Sequence, residues 1–195
     1  FDMTWVNGLI HKLYELGITG PLLRLFNDML TGATSRVVCS GFLSKPFNIA
    51  QGTRQGSICS PFLYTVFIDG LIKELCSSPH GLRINDVNIS APTQADDVVL
   101  LSLTKDGLNE LLRICRNYAN KWRYRYNASK CATMIHTTGR RLVRDIHLRY
   151  GDTKLENVKE YKHLGITQCD NRRSPASVDI IRQSARGTLF SLSPC

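Results

Sequence analysis

Two adjacent aspartates, followed directly by an apolar run, constrain this chain more than any other feature. Asp96 and Asp97 follow Gln94-Ala95 and lead into Val98-Val99-Leu100-Leu101, a run typical of a buried strand. Neighbouring carboxylates repel each other, so folding alone gives little reason to place them beside a core strand. Mg²⁺ supplies a reason, because it binds carboxylate oxygens and keeps open positions for substrate phosphates. The alternative is a polar hairpin turn, in which aspartate is a favoured residue.

The composition indicates one folded core. The chain has 195 residues, of which 43% are hydrophobic, enough for one core with at most a small appendage. No apolar run approaches the roughly 20 residues that span a bilayer, and no signal-peptide pattern is visible. Seven scattered cysteines, with no Cys-x-x-Cys pair, argue against a disulfide framework or a zinc ribbon. We therefore expect a nuclear or cytoplasmic protein that is neither secreted nor bound to a membrane.

The charge is distributed unevenly along the chain. Residues 1–100 carry seven basic and eight acidic side chains, whereas residues 101–195 carry eighteen and eight. A basic half beside an acidic focus suits a protein that holds a polyanion and directs metal ions at one phosphate. A merely soluble basic surface is the alternative.

A glycine-rich stretch runs from Gln51 to Pro61, with the sequence Gln-Gly-Thr-Arg-Gln-Gly-Ser-Ile-Cys-Ser-Pro. Its glycines permit close backbone approach to a ligand, and Arg54 and Gln55 supply hydrogen-bond donors. Ser60 is expected to be the N-cap and Pro61 the first residue of the next helix. A glycine-rich loop that opens a helix is a ready anion site. The alternative is an ordinary loop with a capped helix.

The periodicity of apolar residues predicts helices and strands along the rest of the chain. The predicted helices are 6–16, 21–30, 61–75, 106–122 and 177–190, and the predicted strands are 36–39, 47–49, 131–135, 147–150, 153–155 and 161–164, with a turn at 41–44.

Two basic stretches permit a functional and a structural interpretation. Residues 122–126 interleave tryptophan and tyrosine with arginine, as nucleic-acid surfaces do. We favour a structural role for these aromatic residues, because a helix that leads into a strand needs apolar anchors. Residues 140–144 are a candidate phosphate-contacting stripe, with a solvated loop as the alternative.

The order and spacing of these motifs resemble those of reverse transcriptases, in particular the non-LTR (LINE-type) retrotransposon branch. The glycine-rich stretch followed some thirty residues later by Ala-Asp-Asp carries the resemblance. Three further stretches agree with it: Phe1-Asp2-x-x-Trp5, Asn127-Ala128-Ser129-Lys130 and Tyr161-Lys162-His163-Leu164-Gly165. The likeness extends from residue 1 to about residue 166.

The resemblance implies an α+β fold, namely a polymerase palm with an antiparallel sheet backed by helices. It would be a reverse-transcriptase-like right-hand fold, named for its palm, fingers and thumb, that lacks most of the fingers and the thumb. The expected organisation is a fingers and palm remnant at 1–60, a palm core at 61–170 and the start of a helical connection toward the thumb at 171–195.

The resemblance also implies roles for individual residues in RNA-templated extension of a DNA primer with dNTPs. Asp96 and Asp97 would bind Mg²⁺ or Mn²⁺, and Lys130 would act near the departing pyrophosphate. The remaining implied sites are nucleotide and template contacts at Phe1, Arg54, Gln55 and Gly56, and a primer grip at Leu164 and Gly165.

Two departures from the family pattern affect the expected activity. The family's first metal-binding aspartate lies about five residues before the aromatic residue that Phe1 matches, so its position precedes residue 1. Asp2 is the second, non-catalytic acid of that motif, and Gln94 stands where the family usually has an aromatic residue. We therefore expect this chain alone to be inactive. The alternative function is an inactive remnant or domesticated palm that only binds nucleic acid.

Overall fold

The computed structural model describes residues 2–54, 56–136 and 146–170. These residues form two compact units, unit 1 up to Tyr126 and unit 2 from Asn127 onward. All α-helices of the described residues lie in unit 1. Because apolar residues recur every three or four positions in the sequence, each helix can turn one side toward a core. The four helices are Val6–Glu15 (α1), Gly20–Leu30 (α2), Ser60–Ser77 (α3) and Lys105–Lys121 (α4).

The central helix of unit 1 is α3, which contacts both α1 and α4. Apolar residues that recur along this predicted helix are buried, and none of the following is more than 8% exposed: Leu63, Val66, Phe67, Leu71 and Leu75. The core side of α4 is also confirmed at Leu111, Cys115 and Tyr118. In contrast, α2 has no buried residue, although its apolar periodicity is as regular.

Eight short strands form antiparallel pairs in unit 1. The pairs are Thr34–Ser35 (β1) with Phe47–Asn48 (β4), Val38–Cys39 (β2) with Phe42–Leu43 (β3), Arg83–Ile84 (β5) with Val87–Asn88 (β6), and Thr93–Gln94 (β7) with Asp97–Val98 (β8).

Unit 2 begins with a 3₁₀ helix at Ala128–Lys130, and its described core includes Leu148 and Leu155. The strands among its described residues are Ala132–Thr133 (β9), Arg149–Tyr150 (β10), Thr153–Lys154 (β11), Glu156–Asn157 (β12), Glu160–His163 (β13) and Ile166–Cys169 (β14). The β10–β11 and β13–β14 pairs are antiparallel hairpins, whereas β12 pairs with β9 in parallel.

Mixed helices and small, mostly antiparallel sheets are thus confirmed at the level of fold class. The predicted hairpin between 36 and 49 is wrong in detail, because two hairpins are nested there. Ser40 and Gly41 have φ values of 48° and 83° and form the inner turn, so 42–43 is a strand rather than a turn. The division into 1–60, 61–170 and 171–195 stays a prediction.

Two other expectations require correction. Cys59 is the N-cap of α3, and the Ser60 hydroxyl donates a hydrogen bond back to the Arg54 carbonyl at 2.6 Å instead of accepting from the helix. The run 98–101 is half-buried rather than fully buried, and β8 ends at residue 98. Both differences arise from backbone contacts that apolar periodicity does not encode.

Strand boundaries in unit 2 also differ from the expected ones. The predicted strands at 131–135, 147–150, 153–155 and 161–164 are found in shorter or shifted form as β9, β10, β11 and β13, whereas β12 and β14 were not predicted. The basic run 140–144 and the helix predicted at 177–190 lie outside the described residues. None of the helices in the described ranges combines the length and the apolar character needed to cross a bilayer.

A buried lysine lies where α1, α3 and α4 meet. The Lys12 side chain is 8% exposed, and its ammonium donates a hydrogen bond to the Tyr118 hydroxyl. The same ammonium lies 4.1 Å from the Trp122 ring centroid and 5.8 Å from that of Phe67, so cation–π contacts partly replace its hydration. Gly70 permits this approach, because a Cβ there would lie 3.2 Å from the Lys12 nitrogen.

This lysine predicts a pH dependence of stability. Burial lowers the pKa of the Lys12 ammonium from 10.5 to about 8, against the raising effect of the Asp69 and Glu15 carboxylates. Between pH 8 and 10.5 the folded state has released a proton that the unfolded chain retains, so the free energy of unfolding rises with pH. Over this pH range we expect the free energy of unfolding of the parent protein to rise by about 2 kcal/mol more than that of Lys12→Met.

Urea unfolding of both proteins at pH 7.5, 9 and 10 measures this difference. Lys12→Met is the matched control, because the titration of tyrosine and cysteine residues affects the free energy of unfolding of both proteins, whereas Lys12 titrates only in the parent. Parallel curves would show that the buried ammonium does not lose its proton in this range.

Candidate functional site

Asp96 and Asp97 lie at the tip of the β7–β8 hairpin. Gln94 pairs with Asp97, so Ala95 and Asp96 form a two-residue turn. Ala95 adopts the left-handed region with φ 54°, which costs a non-glycine residue roughly 1 kcal/mol. Both aspartates are exposed to solvent. The hairpin therefore presents two carboxylates together at its tip, at the cost of local backbone strain.

The hairpin is supported by backbone and side-chain hydrogen bonds beneath it. The Val99 N–H donates to the Pro92 carbonyl at 2.9 Å, and the Leu101 N–H donates to the Ser90 carbonyl at 2.8 Å. Ser90 is completely buried, and its N–H donates to Asn88 Oδ1 at 2.8 Å. Asn88 Nδ2 donates in turn to the Cys76 carbonyl of α3 at 2.6 Å. The polar tip is thus connected to the C-terminal end of α3.

The glycine-rich loop is closed on itself just before α3. The Arg54 carbonyl accepts hydrogen bonds from the Ser57 N–H at 3.2 Å and from the Ser60 hydroxyl at 2.6 Å. Gly56 has φ 82° and no atom within 4 Å of the position that a Cβ would occupy. Gln55 lies outside the described residues. The loop therefore leaves space at Gly56, with the exposed Arg54 side chain two residues away.

The start of the same loop is fastened to the N-terminal segment, a contact that sequence analysis missed. The Gly52 N–H donates to the Thr4 carbonyl at 2.8 Å. Gly52 has φ 93°, and a Cβ there would lie 2.8 Å from the Asp2 carbonyl oxygen. Gln51 Nε2 also donates to the Met3 sulfur at 3.1 Å. Glycine is required at position 52 because the backbones of the loop and of the N-terminal segment approach each other closely there. The sequence predicted a close backbone approach in this loop, but not the segment that makes it.

Tyr64 relates the loop helix to the aspartate hairpin. It lies on α3 four residues after Ser60 and is 9% exposed. Burial raises the pKa of the Tyr64 hydroxyl to about 12, and the charge of Asp96 contributes to that rise. Asp96 is therefore close enough to act on α3 electrostatically. Both motifs belong to unit 1, although they are about thirty residues apart in the sequence.

The carboxylates do not by themselves complete a metal site. In the described ranges, no group of three His, Cys, Asp or Glu side chains is arranged to hold a metal ion. Asp96 and Asp97 have the donor chemistry that Mg²⁺ prefers, but they are two groups.

The predicted sites of unit 2 have well-defined backbones. Lys130 is exposed at the end of the 3₁₀ helix. Leu164 and Gly165 form the two-residue turn of the β13–β14 hairpin, with φ values of 51° and 80°. Leu164 is 55% exposed, so an apolar side chain projects from this turn into solvent. Phe1 lies outside the described residues.

The interleaved stretch at 122–126 divides into two faces. Trp122 and Tyr124 are buried, as expected of structural anchors, whereas Arg123 and Arg125 are exposed. The Arg123 guanidinium lies 4.3 Å from the ring centroid of Trp5. The arginines therefore form a basic surface while the aromatic rings complete the core.

Comparison with known proteins shows which family this chain resembles. The chain is 30% identical over 173 residues to the RNA-directed DNA polymerase from mobile element jockey of Drosophila funebris. The aligned region covers 85% of this chain and 18% of that protein. The corresponding Drosophila melanogaster protein is 30% identical over 86% of this chain and 18% of its own length. A Retrovirus-related Pol polyprotein from type-2 retrotransposable element R2DM of Drosophila melanogaster is 33% identical over 48% of this chain and 9% of its own length.

The chain thus spans less than a fifth of the jockey proteins that it matches. The family model described as reverse transcriptase (RNA-dependent DNA polymerase) matches residues 1–168, which is most of the chain. The predicted resemblance to non-LTR retrotransposon reverse transcriptases is confirmed. This chain belongs to the reverse transcriptase family.

Proposed function

We propose that this segment works within a longer retrotransposon protein as part of an RNA-directed DNA polymerase. The partners would be an RNA template, a DNA primer and dNTPs. The observation that supports this proposal best is electrostatic: the charge of Asp96 helps to raise the pKa of Tyr64, which lies in the first turns of the helix that follows the glycine-rich loop. A nucleotide held at that loop would lie near the paired carboxylates.

The reaction would be phosphoryl transfer. The primer 3′-hydroxyl oxygen forms a bond to the α-phosphorus of a dNTP, while the bond from that phosphorus to the bridging oxygen breaks. Pyrophosphate leaves with the electron pair, and the hydroxyl proton passes to water. The Lys130 ammonium would supply a proton to the leaving oxygen or neutralise its charge. The Leu164–Gly165 turn would hold the primer end.

The nucleotide would be bound by the loop and by the N-terminal segment. Arg54 and Gln55 offer donors to phosphate or base, and Gly56 leaves space for close approach. Phe1 would lie against the sugar. The contact between Gly52 and Asp2 supports this arrangement, because it holds the segment that follows Phe1 against the loop.

Asp96 and Asp97 would bind Mg²⁺ or Mn²⁺ together with a third carboxylate from about five residues upstream of Phe1 in the longer protein. Such an ion, when bound, stabilises negative charge on the attacking and leaving oxygens. We also propose that this segment contributes to a polymerase palm, and that the protein acts in the nucleus or the cytoplasm.

Primer extension by a polypeptide that includes residues 1–195 and the upstream segment tests this proposal. With an RNA template, a DNA primer and dNTPs, we expect Mg²⁺-dependent products whose length follows the template. EDTA should stop the reaction, and added Mg²⁺ should restore it. Binding of RNA without any extension would support the non-catalytic alternative and overturn the proposal.

A further inference from the structure

Lys130 lies on a short turn that is organised by a neighbouring asparagine. Asn127 Oδ1 accepts hydrogen bonds from the Ser129 N–H at 3.2 Å and the Ser129 hydroxyl at 2.6 Å. The Lys130 N–H donates to the Asn127 carbonyl at 3.0 Å, which closes the turn. This cap is typical of Asx turns, and it fixes the path of the chain as it enters Lys130.

A second contact holds the other side of this residue. The Tyr161 hydroxyl donates a hydrogen bond to the Lys130 carbonyl at 3.0 Å, across 31 positions of sequence. Tyr161 lies on β13, which pairs with β14 over four residue pairs, more than any other strand pair in the described part of the chain. The carbonyl of Lys130 is therefore fastened to the most extended hairpin of that part.

From these contacts we propose that Tyr161 is a positioning residue for Lys130. The inference depends on the proposed function, in which the Lys130 ammonium acts on the departing pyrophosphate. The phenol hydroxyl holds the Lys130 backbone from one side while the Asn127 cap holds it from the other. The flexible lysine side chain then starts from a fixed point, which restricts where its ammonium can lie. Tyr161 acts through Lys130 without touching the nucleotide.

A double-mutant cycle in the primer-extending polypeptide tests this coupling. Tyr161→Phe removes one hydroxyl and keeps the ring, and we expect it to lower kcat about fivefold, the effect of losing one ordinary hydrogen bond. The KM for template–primer should stay within about twofold, because the hydroxyl does not contact nucleic acid in this proposal. In a Lys130→Ala background, Tyr161→Phe should change kcat by less than about twofold.

Tyr14→Phe is the matched control, since Tyr14 is 59% exposed on α1 and the same single hydroxyl is removed. It should leave kcat unchanged. Thermal unfolding of each variant, compared with the parent protein, excludes a general loss of structure. In the 195-residue chain, the NMR shift of the Cys131 amide should change in Tyr161→Phe and not in Tyr14→Phe.

The outcomes separate the inference from the proposed function. If Lys130→Ala leaves kcat unchanged, the role proposed for Lys130 fails and the inference fails with it. If Lys130→Ala lowers kcat but Tyr161→Phe does not, the inference is wrong and the proposed function stands. A fivefold loss that persists in the Lys130→Ala background likewise shows that Tyr161 acts on something other than Lys130.

Discussion

Asp96→Asn is expected to reduce templated primer extension by at least about 1,000-fold in the polypeptide that carries the upstream segment. Asparagine has nearly the same size as aspartate and is well tolerated in turns, so the β7–β8 hairpin should keep its shape. The substitution removes the negative charge that would bind a divalent cation beside the nucleotide. The measurement is kcat/KM for dNTP incorporation at saturating Mg²⁺, with the thermal midpoint recorded for each protein.

The β5–β6 hairpin supplies a closely matched control. Asp86 occupies the second position of its two-residue turn, as Asp96 does, and the preceding residues Asn85 and Ala95 have φ values of 52° and 54°. Asp86→Asn therefore makes the same chemical change at the same kind of position, on a hairpin that carries none of the residues assigned to the nucleotide site. It should leave kcat/KM within about twofold. Retained activity in Asp96→Asn, or an equal loss in Asp86→Asn, would refute the role assigned to the β7–β8 tip.

The sequence predicted the helical core of unit 1 well because that core depends on long, regular patterns. The buried residues of α3 and α4 recur every three or four positions over some fifteen residues. Each helix therefore carries several apolar residues that all indicate the same buried face. Short strands carry no such redundancy. The β2–β3 turn was misplaced because its location depends on two backbone conformations, those of Ser40 and Gly41, rather than on a repeated pattern.

The contacts that support the site were harder to predict because they join distant parts of the chain. Lys12 reads as a solvent-facing charge on an amphipathic helix, and its burial follows from a hydrogen bond to a residue 106 positions away. The hydrogen bond from the Tyr161 hydroxyl to the Lys130 carbonyl likewise joins residues that are far apart in the sequence, 31 positions in this case. The motifs predicted which residue types form the site. The residues that position them could not be predicted, because those contacts depend on tertiary packing.

Gly52→Ala tests the most demanding of these long-range contacts. We expect it to lower the free energy of unfolding by about 3 kcal/mol, the sum of a left-handed conformation and an overpacked contact. The added methyl group would lie 2.8 Å from the Asp2 carbonyl oxygen and 3.0 Å from the Asp2 Cα, and backbone atoms cannot turn aside as a flexible side chain can. Separation of the segment from the loop should also break the 2.8 Å hydrogen bond from Gly52 to Thr4.

Gly41→Ala isolates the steric part of this effect. Gly41 has φ 83°, close to the 93° of Gly52, but no atom lies within 4 Å of the Cβ that alanine would add. The two alanine variants therefore have similar backbone strain, but only Gly52→Ala also has a steric collision. Urea unfolding should show that Gly41→Ala lowers the free energy of unfolding by only about 1 kcal/mol. Equal losses would show that the N-terminal segment moves away at no cost. In that case the glycine-rich loop does not depend on Asp2 and Thr4 for its position, and the nucleotide site would have to be organised from α3 alone.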